Sequence, residues 1–408
     1  MYPHHQSRLF QFLKLSVFKL FLLFLLGIVL VSFLFAQESF LSADPNLGKQ
    51  LFEKKGCQNC HAIRGEGGEV GPDFGWNEFF GNAFDLAAAL WNHSPIMSEI
   101  MEQMHIARAQ FTEDEMAQVM SFLYFQRYYK KTGNVLKGKK LLTEKGCLNC
   151  HSVHGKGGKI ARQLDKLPEY ISPLFMAESM WNHGPDMMNK MKELRIKWPK
   201  FNEEEIVDLT NYLRILRMES PSAEVYMKAG NPASGKELLA SKGCLRCHSV
   251  NGQGGEIGPD LMDLNFNKSV TEIAGMMWNH GEKMMENMRK VKMDWPEFQG
   301  SEIADLISYL YYLHFLEQNG NAGKGKKLFN NRGCANCHEQ ESQIPAPKVV
   351  DMKSIDTPIK MVQVMWNHAP NMQKRMQEFN VEWPQFNRSE MQDLFAFFNS
   401  LKGFKEKP

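Results

Sequence analysis

Cysteine is absent from this 408-residue chain except in four short motifs, which together contain all eight cysteines. No cysteine remains for a framework of disulfide bonds, and a chain with 43% hydrophobic residues does not need one to build its cores. A large excess of charge is also absent, because 48 lysines and arginines stand against 46 aspartates and glutamates. Nothing in this balance indicates a nucleic-acid partner.

The four motifs share the pattern Cys-x-x-Cys-His, and each copy is complete. This pattern is the attachment signature of c-type haem, in which the cysteines bond the vinyl groups and the histidine ligates the iron. The alternative, two zinc sites made from pairs of Cys-x-x-Cys, needs neither the histidines nor the even spacing of the copies. We therefore predict four covalent haems c. The predicted cofactor-binding residues are Cys57, Cys60, His61, Cys147, Cys150, His151, Cys244, Cys247, His248, Cys334, Cys337 and His338.

The motifs recur at intervals of roughly 90 residues, which is the length of a small domain rather than of a solenoid repeat. A Gly-Lys phrase precedes each motif and predicts a short helix that runs into it. Capping-box sequences predict a last helix in three repeats, and the fourth sequence is a poorer cap. These pairs are Thr112 and Glu115, Asn202 and Glu205, Asn387 and Glu390, and the poorer Gln299 and Glu302. No alternating strand pattern is convincing, so the predicted fold class is all-α.

Four tandem domains with one covalent haem each follow from this repetition. Their predicted boundaries are 44–131, 134–219, 230–318 and 320–405. Residues 1–36 are predicted to be a signal peptide or an N-terminal membrane anchor, because Arg8, Lys14 and Lys19 precede an apolar run over residues 20–36. Either alternative exports the rest of the chain, so we expect it in the periplasm or at the periplasmic face of the inner membrane.

A second repeated motif, Trp-Asn-His, follows each haem histidine by about 30 residues. Methionines stand four and eight residues after its histidine, so on a helix all three side chains share one face, which we expect to look at one haem. A methionine would raise the haem's potential and fill its coordination sphere, whereas a second histidine would give a lower potential. The candidate distal ligands are Met97, Met187, Met284 and Met372; Met101, Met191, Met288 and Met376; and His93, His183, His280 and His368. If the histidines are not ligands, they and the tryptophans are expected at the haem propionates or ring edge.

Each repeat resembles a class I cytochrome c domain, and the chain after residue 43 resembles a tandem four-domain member of that superfamily. The resemblance implies three helices around each haem and a Gly-Pro loop whose proline carbonyl accepts a hydrogen bond from the haem histidine. Pro72, Pro259 and Pro347 match that loop, whereas the second repeat has no matching proline, which puts its hydrogen bond in question.

The family's distal methionine precedes a proline shortly before the last helix. The sequence departs there, with Trp198-Pro199, Trp295-Pro296, Trp383-Pro384 and Arg108-Ala109. The resemblance in position favours Met101, Met191, Met288 and Met376 as the distal ligands, together with His61, His151, His248 and His338 as the other metal ligands.

The predicted function is electron relay between other redox proteins or into a respiratory complex, with no catalytic residues. The first alternative is a cytochrome subunit of a membrane-associated dehydrogenase or reductase, or a haem enzyme with one open distal site. No extra cluster of metal-ligating residues supports autonomous catalysis. The second alternative, a structural or sensory haem protein, lacks an attached output domain.

Overall fold

The computed structural model describes residues 43–75, 82–126, 133–167, 173–216, 230–264, 270–315, 320–339, 341–342, 344 and 346–401. The segment predicted to be a signal peptide or anchor, residues 1–36, lies outside these ranges. Within these ranges no helix combines the length and apolar character that crossing a bilayer requires.

The same order of long helices occurs four times in the described ranges, in units that we number one (43–126), two (133–216), three (230–315) and four (320–401). Unit one contains α1 (Pro45–Lys54), β1 (Ala62–Ile63), β2 (Glu66–Gly67), α2 (Ala83–Gln103) and α3 (Glu113–Gln126). Unit two contains α4 (Val135–Glu144), β3 (Ser152–Val153), β4 (Lys156–Gly157), α5 (Pro173–Glu193) and α6 (Glu203–Ile215). Unit three contains α7 (Pro232–Ser241), β5 (Ser249–Val250), β6 (Gln253–Gly254), α8 (Val270–Lys290) and α9 (Glu302–Phe315). Unit four contains α10 (Ala322–Asn331), α11 (Ala335–His338), α12 (Pro358–Glu378) and α13 (Arg388–Ser400).

The all-α prediction is confirmed, since each of the six strands in the described ranges is two residues long. They form one antiparallel hairpin directly after the haem motif in units one, two and three. Both central turn residues have positive φ, as a type I′ turn requires; in unit three these are Asn251 and Gly252, at 51° and 73°. Strands this short carry no sequence alternation, which is why the pattern did not predict them.

The first helix of each unit crosses the last helix of the same unit at a glycine. A Cβ atom on Gly138 of α4 would overlap the backbone carbonyl of Asp208 in α6. Gly48, Gly235 and Gly325 meet the backbone of α3, α9 and α13 in the same way. The glycine of the Gly-Lys phrase therefore lets two backbones touch.

The last helix begins with the predicted caps. In α6, Asn202 and Glu205 form a complete capping box, and Asn387 and Glu390 do the same in α13. Glu205 also pairs with Lys145 at the end of α4 at 2.8 Å, which ties the first helix to the last. Equivalent ion pairs join Lys55 to Glu115, Lys242 to Glu302 and Arg332 to Glu390.

The long middle helices dock the units in two pairs. Helix α5 of unit two packs against α8 of unit three, whereas α2 of unit one packs against α12 and α13 of unit four. Units one and three also meet, because Tyr124 donates a hydrogen bond from its hydroxyl group to the carbonyl oxygen of Tyr311 at 3.2 Å. The pairs are thus two with three and one with four, and the second pair joins units that are distant in the chain.

Candidate haem sites and the interfaces between them

The ring of each haem-motif histidine is fixed by a backbone carbonyl in the following loop. The Nδ1 atoms of His61, His248 and His338 lie 3.1, 3.0 and 2.7 Å from the carbonyl oxygens of Pro72, Pro259 and Pro347. With Nδ1 donating to that carbonyl, Nε2 is left free to ligate a metal, as second-shell hydrogen bonds to histidine ligands require. The three prolines predicted for this role therefore hold it.

Unit two forms the same hydrogen bond, although it lacks the proline that matches the family's loop. His151 Nδ1 lies 2.8 Å from the carbonyl oxygen of Arg162, at the place where the other units have proline. The acceptor is a backbone carbonyl, which every residue carries, so the proline side chain is dispensable for this hydrogen bond.

The loop that supplies this carbonyl is itself anchored to the hairpin. In unit three, Asp260 accepts hydrogen bonds from the backbone N–H groups of Gly252 and Met262 at 2.7 and 2.8 Å. The hydrogen bond from Gly252 is the largest of the causes that lower the pKa of Asp260, so its carboxylate stays charged. Asp73 makes the matching contacts in unit one, to Arg64 and Gly65.

A cavity of about 590 Å³ in unit four is lined on one side by the haem motif, including Cys334, Cys337 and His338. Its opposite wall is α12, which contributes His368, Met372 and Met376. The volume lies within the range of sites for cofactors and small molecules. Cysteines, a histidine with free Nε2 and a facing wall of ligand-type side chains fit a covalently attached haem, whose iron takes up and releases one electron.

The first cysteine of each motif stays a neutral thiol when nothing is attached to it. Burial raises the pKa of Cys57, Cys147, Cys244 and Cys334 to about 11. No group of three or more His, Cys, Asp or Glu residues able to hold a metal ion occurs in the described part of the chain.

The predicted distal ligands all lie on the long middle helix of their unit. In unit four, His368, Met372 and Met376 share the cavity wall, as their spacing predicts. Met288 of α8 is buried at 8% exposure, and Met187 and Met191 of α5 pack against the core of units two and three. Met101 of α2 is half-buried. Ligation by Met101, Met191, Met288 and Met376 stays a prediction.

The histidine of Trp-Asn-His is close to the haem-motif histidine in three units. The imidazole centroids of His248 and His280 are 6.5 Å apart, and those of His338 and His368 are 6.1 Å apart. Burial lowers the pKa of His368, and the neighbouring His338 lowers it further. Burial also lowers the pKa of His61, and the neighbouring His93 lowers it further. The lowered pKa values of His61 and His368 favour the neutral imidazole, which is the form that binds a metal.

The tryptophan of this motif gives its indole N–H to a neighbouring unit, so that N–H does not take the expected role of a hydrogen-bond donor to a haem propionate. The indole N–H of Trp91 donates to the carbonyl oxygen of Pro384 in unit four, at 2.8 Å. The other three indoles also donate to a docked unit, at 2.7 to 2.8 Å: Trp181 to Pro296, Trp278 to Pro199 and Trp366 to Ala109. Tryptophan stands two positions before the histidine, and residues two apart on a helix face different ways. That spacing was a signal in the sequence that tryptophan lies on another face.

The asparagine of the motif holds the same docked segment by two hydrogen bonds. Asn182 donates from Nδ2 to the carbonyl oxygen of Phe298 at 2.7 Å and accepts from its backbone N–H at 2.9 Å. The reciprocal pair is formed by Asn279 and Phe201. Asn92 with Phe386 and Asn367 with Phe111 repeat the arrangement between units one and four. We call these four contacts the asparagine clasps.

Aromatic stacking accompanies three of the four clasps. The ring centroids are 4.2 Å apart for Trp91 and Trp383, 4.3 Å for Trp181 and Trp295, and 4.1 Å for Trp198 and Trp278. At the fourth position unit one has Arg108, whose guanidinium lies 3.9 Å from the ring centroid of Trp366. The Trp-Pro segments that replace the family's methionine thus serve docking between units.

Two of the units match a known family. Residues 135–217 and 232–314, which coincide with units two and three, match the family model described as Cytochrome c. Units two and three are thus similar to cytochrome c domains. Domains of this kind carry covalent haem c, in agreement with the Cys-x-x-Cys-His motifs.

One curated relative is a nitric oxide reductase subunit of Halomonas halodenitrificans. It is 34% identical to the chain over 83 residues, which are 19% of the chain and 54% of that protein. The chain therefore spans about half the length of this relative. No solved structure gives a significant match.

Proposed function

We propose that the protein is an exported tetrahaem c-type cytochrome that relays electrons between redox partners. The observation that carries the proposal is the haem-motif histidine held by a loop carbonyl through Nδ1, which recurs in all four units. Four such sites imply four covalent haems, and a facing helix with histidine and methionine supplies each iron with a second ligand. Filled coordination spheres suit electron transfer rather than oxygen chemistry.

Export follows from the basic and then apolar N-terminal segment, so the proposed location is the periplasm or the periplasmic face of the inner membrane. The proposed ligands are the four haem-motif histidines on one side and side chains of α2, α5, α8 and α12 on the other. For units one and two we retain the thioethers of Met101 and Met191 as the second ligands.

A pyridine haemochrome measurement on the purified chain tests the proposal, and we expect four haems per chain. Replacing both cysteines of one motif by alanine, in each unit in turn, is expected to remove one haem each time. A different stoichiometry, or a unit whose cysteine variant keeps the full haem content, contradicts the proposal. Carbon monoxide binding by the reduced wild-type protein would instead indicate an enzyme with an open distal site.

A second candidate is a cytochrome component of a respiratory reductase, which the similarity to part of a nitric oxide reductase favours. The experiment is affinity purification of the chain from its native membranes under mild detergent. Recovery of a catalytic partner in fixed ratio supports the role within a complex, whereas recovery of the cytochrome alone supports a free relay.

A further inference from the structure

We propose that His280 and His368 are the distal ligands of the haems in units three and four, which makes these two haems bis-histidine. The inference rests on the proposed function, because it assumes a haem on each motif. It departs from the methionine ligation predicted for these units and assigns the histidine of the Trp-Asn-His motif.

The separation of the paired imidazoles is the first observation. A metal–imidazole bond is about 2.0–2.1 Å long, and the ring centre lies about 1 Å beyond the nitrogen, so two imidazoles on one iron have centroids about 6 Å apart. The measured separations are 6.1 Å for His338 and His368 and 6.5 Å for His248 and His280.

In unit four, a histidine that only packs on the haem does not fit this separation as well. A haem attached to the motif would lie between the proximal histidine and the facing helix. A ring in van der Waals contact with the porphyrin stays about 3.5 Å from its plane, and the proximal ring centre is about 3 Å on the other side, so the centroids are at least about 6.5 Å apart. Any sideways displacement adds to this value. The pair in unit four is closer, and the pair in unit three is at the limit.

The tautomer of the haem-motif histidines agrees with ligation. His248 and His338 both use Nδ1 for a loop carbonyl, which leaves Nε2 free to ligate a metal. His368 lines the same cavity as Cys334 and Cys337, the cysteines that would fix the haem there.

Units one and two differ at the equivalent histidine. His93 Nδ1 lies 2.8 Å from the carbonyl oxygen of Ala89, and His183 Nδ1 lies 3.1 Å from that of Ser179. These contacts leave Nε2 free in both rings, so the difference from units three and four lies in the separation of the paired imidazoles. Within the described ranges no ring contact like those of units three and four joins His61 to His93 or His151 to His183. Methionine ligation is retained for these two units.

The consequence is one haem of each kind in each docked pair. A haem with two histidines has a lower potential than one with histidine and methionine. Electrons are therefore expected to move from the haem of unit three to that of unit two, and from the haem of unit four to that of unit one.

The test uses electron paramagnetic resonance of the oxidised full-length protein, together with carbon monoxide binding to the reduced protein. The wild type is expected to show two bis-histidine and two histidine–methionine haems. His280→Ala is expected to remove one of the two bis-histidine signals and to create one haem that binds carbon monoxide, with haem content unchanged. His368→Ala is expected to do the same to the other signal. The matched controls His93→Ala and His183→Ala are expected to leave all four signals in place.

Unchanged spectra in both His280→Ala and His368→Ala, with four haems present, overturn the inference while leaving the proposed function intact. A haem count other than four in the wild type contradicts the proposed function itself. Should the histidine variants fail to fold, four methionine variants decide the matter: Met284→Leu, Met288→Leu, Met372→Leu and Met376→Leu. Unaltered spectra in all four variants support histidine ligation, and loss of a low-spin haem in any of them contradicts it.

Discussion

Arg108 distinguishes unit one from the other units at the docking interface, because the other units have tryptophan there. Its guanidinium donates to the carbonyl and hydroxyl oxygens of Ser94 and to the hydroxyl of Ser98, and it stacks on Trp366. Nε of Arg108 is buried and has no hydrogen-bond partner in the described structure. Burial lowers the pKa of Arg108 to about 10, so the group still carries its charge at neutral pH. A half-buried cation thus lies between units one and four.

Replacing Arg108 by glutamine is expected to lower the midpoint potential of the nearer haem, since a nearby positive charge favours the reduced form. A unit charge about 10 Å away at an effective dielectric constant of about 20 contributes roughly 1.5 kcal/mol, or about 60 mV in a one-electron couple, before solvent screening. A spectroelectrochemical titration measures the shift. Arg108→Lys keeps the charge and is expected to keep the potential. An equal shift in both variants would assign the effect to lost stacking on Trp366.

Single residues also mark where sequence reasoning succeeded and where it failed. The hydrogen bonds of the haem-motif histidines to Pro72, Pro259 and Pro347, and the capping residues, were predictable because they depend on residue type and local spacing. The hydrogen bond from His151 to Arg162 was not, because any residue can supply a backbone carbonyl and the sequence reveals only the proline that often accompanies it.

At the scale of helices, the crossing of the first and last helix is the contact that closes each unit. We expect Gly138→Ala to destabilise unit two by about 1–3 kcal/mol, because the new Cβ atom would meet the backbone carbonyl of Asp208 and force the helices apart. Chemical denaturation followed by circular dichroism measures the change. Gly184, in helix α5 of the same unit, has no atom within 4 Å of an added Cβ. Gly184→Ala is therefore expected to be neutral or to stabilise by up to about 1 kcal/mol. Equal destabilisation by both variants would refute the crossing argument.

The asparagine clasps are the second contact between elements that is open to test. Asn182→Ala leaves the backbone N–H and carbonyl of Phe298 without their partner, and an unsatisfied buried group costs about 1–3 kcal/mol. Hydrogen exchange at the Phe298 amide is expected to become faster. Exchange at Phe386, in the clasp between units one and four, serves as the internal reference and is expected to stay the same.

Asn189→Ala provides the matched control on the same helix. Asn189 is exposed and accepts a hydrogen bond from Arg289 across the same interface. A polar contact at an exposed rim contributes little, so protection of Phe298 is expected to persist. If hydrogen exchange at the Phe298 amide stays slow in Asn182→Ala as well, the stacked tryptophans alone hold the units together.

The helices of each unit were largely predictable, whereas their packing partners were not. Capping sequences and apolar periodicity predicted the last helices, and the Gly-Lys phrase predicted the first. The use of Trp91 and Trp383 for docking could not be read from composition, because a buried tryptophan serves a haem or a neighbouring domain equally well.

For the whole molecule, the pairing of units matters more than their order in the chain. A fragment of residues 133–315 contains units two and three with both of their clasps, and we expect a compact monomer. A fragment of residues 230–401 contains units three and four, whose clasps lack their partners, so we expect it to self-associate. Small-angle scattering over a range of concentrations, on fragments with full haem content, distinguishes the two. If both fragments are monomeric, or if both self-associate, the pairing of unit two with three and of unit one with four is contradicted.

No feature of the sequence states that unit one docks on unit four. The Trp-Asn dipeptide is the same in every unit, so all pairings look equivalent until the geometry is known. Only Arg108 hints at asymmetry, since one of the four tryptophan positions is occupied by a cation.

In the chain, units two and three lie between units one and four, so one docked pair is enclosed by the members of the other. This order has a consequence for biosynthesis. Units two and three meet as soon as both have been made. Unit one is made first but can dock only after the last residues of the chain have been made. Until then, Trp91 and Phe84 lack the contacts that they later form with Trp383 and Phe395. A ribosome that stops before unit four therefore leaves a finished inner pair and an apolar surface that only the missing unit covers. Chains truncated in this way are expected to depend on chaperones or to be degraded.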